Sequence, residues 1–250
     1  MNETTFELAE KTIRLSERTY TSAVILAAGS STRMGPNINK QFLPLCNDPV
    51  LAHTLKAYQH CPLIREIVVV AHSIDFKKIK KICEENGIDK LAHVVEGGKT
   101  RQESAMLGVR AISKDAQYVA IADGARCLTT PFQIGKVCAR AYRYNAASAG
   151  HRLSDTIKRT NAKSMTRETV DRSNLWQAQT PQVFHTALYT AALHRAVKDK
   201  FAATDDNALI EHLGFRVCMV ECGAQNIKIT TPDDLALAAA ILAYRQTERT

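Results

Sequence analysis

Along the chain, apolar positions come in short blocks separated by polar loops. Residues 23–27 (AVILA) form a continuous apolar run without polar alternation, the pattern of a strand covered on both faces and therefore central in its sheet. Residues 67–71 (IVVVA) read the same way, and 93–95 and 118–122 are further strand candidates. Helical spacing marks 50–58, 74–86 and 101–112, the second of these ending before Gly87, which suits a left-handed cap. Pro131 predicts another helix start, because proline is tolerated in the first turn. Strands alternating with helices in this way predict a Rossmann-like α/β fold, a mostly parallel twisted sheet flanked by helices. The loops after Ala27, Val95 and Ala122 then all leave strand C-termini, where such sheets collect ligands, so they are predicted to converge on one crevice.

The pattern breaks over 151–172, a polar stretch rich in arginine and lysine with no helical periodicity. Long irregular stretches inside compact domains are uncommon and often functional. Helical patterns return at 186–197 and 205–213, followed by strand candidates at 215–220 and 227–229 and a last helix at 233–242. The expected organisation is an N-terminal extension over 1–21, one domain over 22–245 and a tail over 246–250. In the extension Phe6, Ala9 and Ile13 recur at helical spacing, which reads equally as a short amphipathic helix or as disorder.

With 250 residues and 45% hydrophobic content, the chain is long enough for one sizeable core. No run approaches the roughly 18 apolar residues of a membrane span. The first twenty residues mix glutamates with lysine and arginine rather than holding an apolar block, so a cytoplasmic protein with no membrane association is expected. The 7 cysteines include no Cys-x-x-Cys pair and read as buried or incidental thiols in a reducing compartment. The net charge of +8 admits nucleic acid, an anionic membrane surface or a polyanionic small molecule. Neither a block of like charges nor an aromatic-laced basic stripe occurs, which argues against nucleic acid. Cations beside glycines and hydroxyls in short loops point instead to phosphate on a compact ligand.

The loop Ala28-Gly29-Ser30-Ser31-Thr32-Arg33-Met34-Gly35 follows the first buried strand, and its small residues let backbone N–H groups approach an anion. It has neither P-loop spacing nor the Gly-x-Gly-x-x-Gly of a dinucleotide fold. Arg33 and Lys40 are placed to neutralise a triphosphate and a departing pyrophosphate; an ordinary turn with solvated cations is the competing reading. LAAGSSTRMG followed by Lys40-Gln41-Phe42-Leu43 resembles the signature of sugar-nucleotidyltransferases, in particular the cytidylyltransferases acting on methylerythritol phosphate and ribitol phosphate. Further motifs follow in the family's order: Gly97-Gly98 with Arg101 and Ser104, Asp123 with Arg126, Asp155-Thr156-Ile157-Lys158 and Asp171-Arg172. Gln179-Thr180-Pro181-Gln182, Thr204-Asp205-Asp206 and Asn226-Ile227-Lys228-Ile229-Thr230 complete the set, and the resemblance spans residues 22–242.

That resemblance implies roles. Ala27, Ala28 and Gly29 border the nucleotide, Gly98 and Ser104 face cytosine, and Asp123 holds Mg2+ beside the phosphates. Arg33 and Lys40 stabilise the transition state, and Lys228 lies close to the α-phosphate. Thr156 and Arg172 hold the sugar-alcohol phosphate, with Arg126, Thr180 and Thr204 also on the acceptor side. Each has a competing reading: Asp123 as a turn cap, Lys228 as the polar face of a strand, and Arg172 as a surface cation, the reading its residue type favours without the resemblance. The implied reaction joins CMP from CTP to a sugar-alcohol phosphate, whose oxygen attacks the α-phosphorus in line. Residues 175–182 (LWQAQTPQ) and Thr204-Asp205-Asp206 favour methylerythritol 4-phosphate, in isoprenoid precursor synthesis, over ribitol 5-phosphate. A catalytically silent nucleotide- or nucleic-acid-binding relative is the third alternative.

The resemblance further implies that 151–172 is a β-arm exchanged in a homodimer with shared active sites. Ala122, Gly124 and Cys127 stand where the family usually has His, Ala and Pro, Asn39 where a proline is common, and Lys99 where an acid is frequent. Gly124 is expected to loosen the loop around Asp123.

Overall fold

The first apolar run, residues 23–27, falls on an interior strand of the sheet. Its strand, β1 (Thr21–Leu26), is buried at every position and pairs in parallel on both sides, with β4 (Glu66–Ala71) and β6 (Tyr118–Asp123). In this computed structural model the described residues are 19–29, 31–35 and 38–247. The predicted amphipathic segment with Phe6, Ala9 and Ile13 lies outside them, as do the last residues of the tail.

β5 (Leu91–Glu96), β7 (Ala146–Arg152), β10 (Trp176–His185) and β11 (Cys218–Glu221) complete a 7-stranded sheet of order β11-β7-β10-β6-β1-β4-β5. Only β10 runs antiparallel to its neighbours, β6 and β7. A separate ribbon pairs β2 (Pro44–Leu45) with β3 (Asp48–Pro49).

Alternate residues of β1 feed two cores. Ala23, Ile25 and Ala27 meet α1 (Val50–Gln59), α2 (Phe76–Glu85) and α4 (Pro131–Tyr144) on one face. Val24 and Leu26 meet α3 (Arg101–Arg110), α5 (Thr186–Lys198) and α6 (Asp206–His212) on the other. Covering both faces is what a parallel sheet requires, and each fully buried aliphatic side chain stabilises the fold by about 1.5–3 kcal/mol. α7 (Pro232–Thr247) closes a third cluster with Leu45, Val50, Leu128 and Ile229, so this helix is held beside the loop that follows β6.

Gly87 takes the left-handed φ of 61° expected after α2, and Pro131 opens α4 within a capping box made by Thr130 and Gln133. Other expectations need correction. The last strand begins at Cys218 rather than Phe215, which is 55% exposed. Residues 227–229 form no strand; they are irregular, and Ile229 N–H donates to the Ala125 carbonyl at 2.9 Å. The stretch read as irregular over 151–172 holds an antiparallel hairpin of β8 (Ile157–Thr160) and β9 (Thr166–Val170), exposed along most of its length.

The loop at Gly124 is not loosened. Its N–H donates to the Leu26 carbonyl at 2.9 Å, its carbonyl accepts from Thr54 Oγ1 at 2.8 Å, and an added Cβ would meet Gln41 Oε1 at 2.8 Å. Glycine suits this position because space is short, and the hydrogen bonds remove the freedom that its backbone otherwise carries.

Candidate active site

The loops after β1, β5 and β6 do meet. At Gly97 an added Cβ would lie 2.5 Å from Ala28 Cβ and 3.2 Å from Ser104 Oγ, so the absent side chain is what lets the β5 loop touch the β1 loop. Gly98 N–H donates to Ser104 Oγ at 3.1 Å. Thr100 caps α3 by accepting from Glu103 N–H, and the Glu103 carboxylate accepts from Lys99 N–H at 2.7 Å. These two bonds hold the small-residue turn at a helix N-terminus, a setting suited to anions. Ala27 is buried, Ala28 half-buried and Gly29 exposed along the rim.

Asp123, the last residue of β6, is the electrostatic centre. Its N–H donates to Thr180 Oγ1 at 3.0 Å, which ties it to β10. Its Oδ1 lies 3.5 Å from Arg101 Nε, and its Oδ2 lies 2.9 Å from Lys228 Nζ and 3.6 Å from Arg126 Nε. Burial pushes the carboxyl upward, but Lys228, Arg101 and Arg126 outweigh it and hold the pKa at about 2. The group is therefore ionised throughout the physiological range.

Both arginines have a further anchor. Arg126 donates through Nη1 to the Asn226 carbonyl at 2.6 Å, and burial lowers its pKa against the pull of Asp123. Arg101 donates to Asp206 Oδ2 at 2.7 Å; burial opposes its charge, and the Asp206 and Asp123 carboxylates more than offset this and raise its pKa. Asp206 also accepts from Tyr189, and its N–H donates to Gln182 Oε1 at 2.9 Å. Gln182 Nε2 donates in turn to Asp205 Oδ2 at 2.8 Å, so one amide of β10 clamps the turn that carries Thr204, Asp205 and Asp206.

Lys40 approaches from a short turn, Lys40–Phe42, whose cap is Asn39: its side chain accepts from Gln41 N–H and donates to Asp75 Oδ2 at 3.0 Å. Asparagine in place of the usual proline thus supplies a cap of its own. Lys40 is only 8% exposed; burial, then the charge of Lys228, brings its pKa down to about 8, with Arg33 adding to the repulsion. Arg33 itself is exposed, in the turn Thr32–Met34.

Asp123, Arg126, Lys228, Lys40, Thr180, Gly98, Ser104 and the loop from Ala27 are thus gathered at the strand C-termini. Thr204 is exposed beside the clamped Asp205. Thr156 and Arg172 are not part of the gathering within this chain: both are exposed at the base of the hairpin, where Arg172 donates to the Ser154 carbonyl. Sequence reasoning assigned no role to Arg101, Asp206 or Asn226, although each stood inside a quoted motif. The available signal was chemical: an arginine at a helix start and an acid just after a capping acid are exposed by default, and here both are paired.

A carboxylate ringed by cations where small-residue loops leave the C-termini of a mostly parallel sheet defines an α/β enzyme that handles phosphate-bearing ligands. The relationship to known proteins narrows the class. The chain belongs to the 2-C-methyl-D-erythritol 4-phosphate cytidylyltransferase family, whose sequence profile matches residues 21–244. It is 41% identical over 226 residues to the protein of that name from Caldanaerobacter subterraneus subsp. tengcongensis, covering 88% of this chain and 98% of the relative. The protein of the same name from Synechococcus sp. is 42% identical, with 89% and 99% covered. The crystal structure of 4-diphosphocytidyl-2C-methyl-D-erythritol synthase from Anaerococcus prevotii superposes with a TM-score of 0.82 at 27% identity, covering 92% of this chain and 99% of that one. Among the described residues no helix is long and apolar enough to cross a membrane.

Proposed function

We propose that this chain transfers CMP from CTP to 2-C-methyl-D-erythritol 4-phosphate and releases pyrophosphate. The observation that carries the reading is the Asp123 cluster, with three cations on one buried carboxylate at the mouth of the sheet and Lys40 nearby. Catalysis of this transfer is positioning and charge stabilisation, without a covalent intermediate on the protein. The acceptor phosphate attacks the α-phosphorus in line. Lys228 faces that phosphorus, Arg33 and Lys40 stabilise the developing charge and the leaving pyrophosphate, and Gly98 with Ser104 reads the cytosine edge. Arg126, Thr180 and Thr204 border the acceptor.

Among the described residues no group of three or more His, Cys, Asp or Glu side chains gathers, so Asp123 would hold a divalent cation with few protein ligands. That suits Mg2+, which commonly keeps waters and substrate phosphate oxygens and takes few carboxylates. When bound, Mg2+ would neutralise phosphate charge, with Asp123 holding it. Pyrophosphate should appear only when CTP, the acceptor and Mg2+ are all supplied, and equal rates with ATP or GTP would reject the cytosine assignment.

Lys40 gives the reading a pH signature. Its protonated form is the one required, and with a pKa of about 8 that form is lost as pH rises through 8. The kcat/KM for CTP should therefore fall above that pH, while the kcat limb lies higher, because bound triphosphate favours the ammonium. Lys40→Arg does not titrate in this range. A limb near pH 8 that persists in that variant assigns the titration to another group.

We also infer that the hairpin serves a second subunit. Thr156 and Arg172 stand apart from the Asp123 cluster of their own chain, on an arm with little apolar content and with Met165 66% exposed near its turn. In a C2 homodimer the arm would carry both residues to the partner's site.

A further inference from the structure

Asn226 is fully buried, and its amide joins three pieces of the active site that have no regular structure in common. Its Oδ1 accepts from Thr129 Oγ1 at 2.7 Å, in the loop that follows Asp123. Its Nδ2 donates to Gln179 Oε1 at 3.1 Å and to the Thr180 carbonyl at 3.0 Å, both on β10. Its own carbonyl accepts from Arg126 Nη1. Two residues further on stands Lys228, in a segment without strand pairing, where the Ile229 N–H bond to Ala125 supplies backbone anchorage.

We propose that Asn226 is a positioning residue for cytidylyl transfer, setting the Lys228 ammonium and the Arg126 guanidinium against Oδ2 of Asp123. The amide is suited to the task. Both of its N–H groups and its oxygen are used, each on a different neighbour, so the segment cannot slide without breaking a buried hydrogen bond. Thr180 closes the circuit: its carbonyl accepts from Asn226 while its hydroxyl accepts from Asp123 N–H. One side chain therefore references Lys228 to the backbone that carries the carboxylate.

The inference rests on the reading that Lys228 acts in the transfer, and the test separates the two. Asn226→Ser should lower kcat by about 10- to 100-fold with the KM for CTP within about threefold, the pattern of a misplaced group rather than a lost binding contact. Placed on Lys228→Ala, the same change should add little further loss, because residues acting through one another are not additive. If Asn226→Ser proves unstable, Thr129→Val removes only the outer hydrogen bond and should lower kcat by about threefold, whereas Thr129→Ser keeps the hydroxyl and should match wild type. Wild-type kcat in the folded Asn226→Ser or Thr129→Val variants, or full additivity with Lys228→Ala, overturns the role of Asn226. Full activity of Lys228→Ala instead overturns the reading beneath it.

Discussion

Asp123→Asn is expected to lower kcat by about 10³-fold and to destabilise the protein, both from the loss of one negative charge. The variant keeps the shape of the side chain but leaves Lys228, Arg101 and Arg126 facing one another with no shared counter-ion. Removing one partner from a buried ion pair costs about 3–5 kcal/mol. The Lys228 and Arg101 side chains are 35% and 32% exposed, so water offsets part of this, and about 2–3 kcal/mol is the reasonable expectation. In a chain of this size that corresponds to a Tm lower by about 5–10 °C. The effect has a defined pH window. The Asp123 pKa is depressed from 3.8 to about 2, so its stabilising contribution is complete above 3.8 and is lost as pH falls through 2. Urea unfolding of both proteins should show a wide gap at neutral pH that narrows across that window. A gap independent of pH would mean that the variant weakens packing rather than charge pairing.

The parts of the fold that were legible in the sequence are those in which burial leaves a one-dimensional mark. Residues 23–27 and 67–71 are apolar without interruption because β1 and β4 are covered on both faces. Strands β7 and β10 left no such mark. β7 begins with alanines, a serine and a glycine over 146–150 and ends on His151 and Arg152; at Gly150 an added Cβ would meet Met219 and the Gln177 carbonyl. β10 carries Gln179 and Gln182 in buried positions, where their amides bind Asn226 and the Asp205–Asp206 turn. Polar residues that serve the site thus hid a strand that periodicity should have found. The reverse error occurred at 227–229, where alternation imitates a strand but the residues are held by an asparagine and a single backbone bond. Motif order located Asp123 and Lys228. The pairing of Asp123 with Arg101 and Lys228 depends on side-chain direction at the ends of separate elements, which spacing along a chain does not encode.

The shared site is testable by mixing two damaged proteins. Lys40→Ala and Arg172→Ala are each expected to be nearly inactive as homodimers, because each lesion reaches both sites. Lys40 lies beside Asp123 of its own chain, whereas Arg172 is on the exposed hairpin. If the hairpin serves the partner, a mixed dimer gathers both lesions in one site and leaves the other intact. Random association of equal amounts makes about half of the dimers mixed, each with one working site of two, so about a quarter of wild-type activity should return. If the hairpin folds back on its own subunit, every site in the mixture keeps one lesion and no activity returns. Differently tagged chains establish that subunits have exchanged. Once exchange is confirmed, recovery near a quarter supports the crossed arm, and activity that stays at the level of the parent variants places Thr156 and Arg172 in service of their own chain.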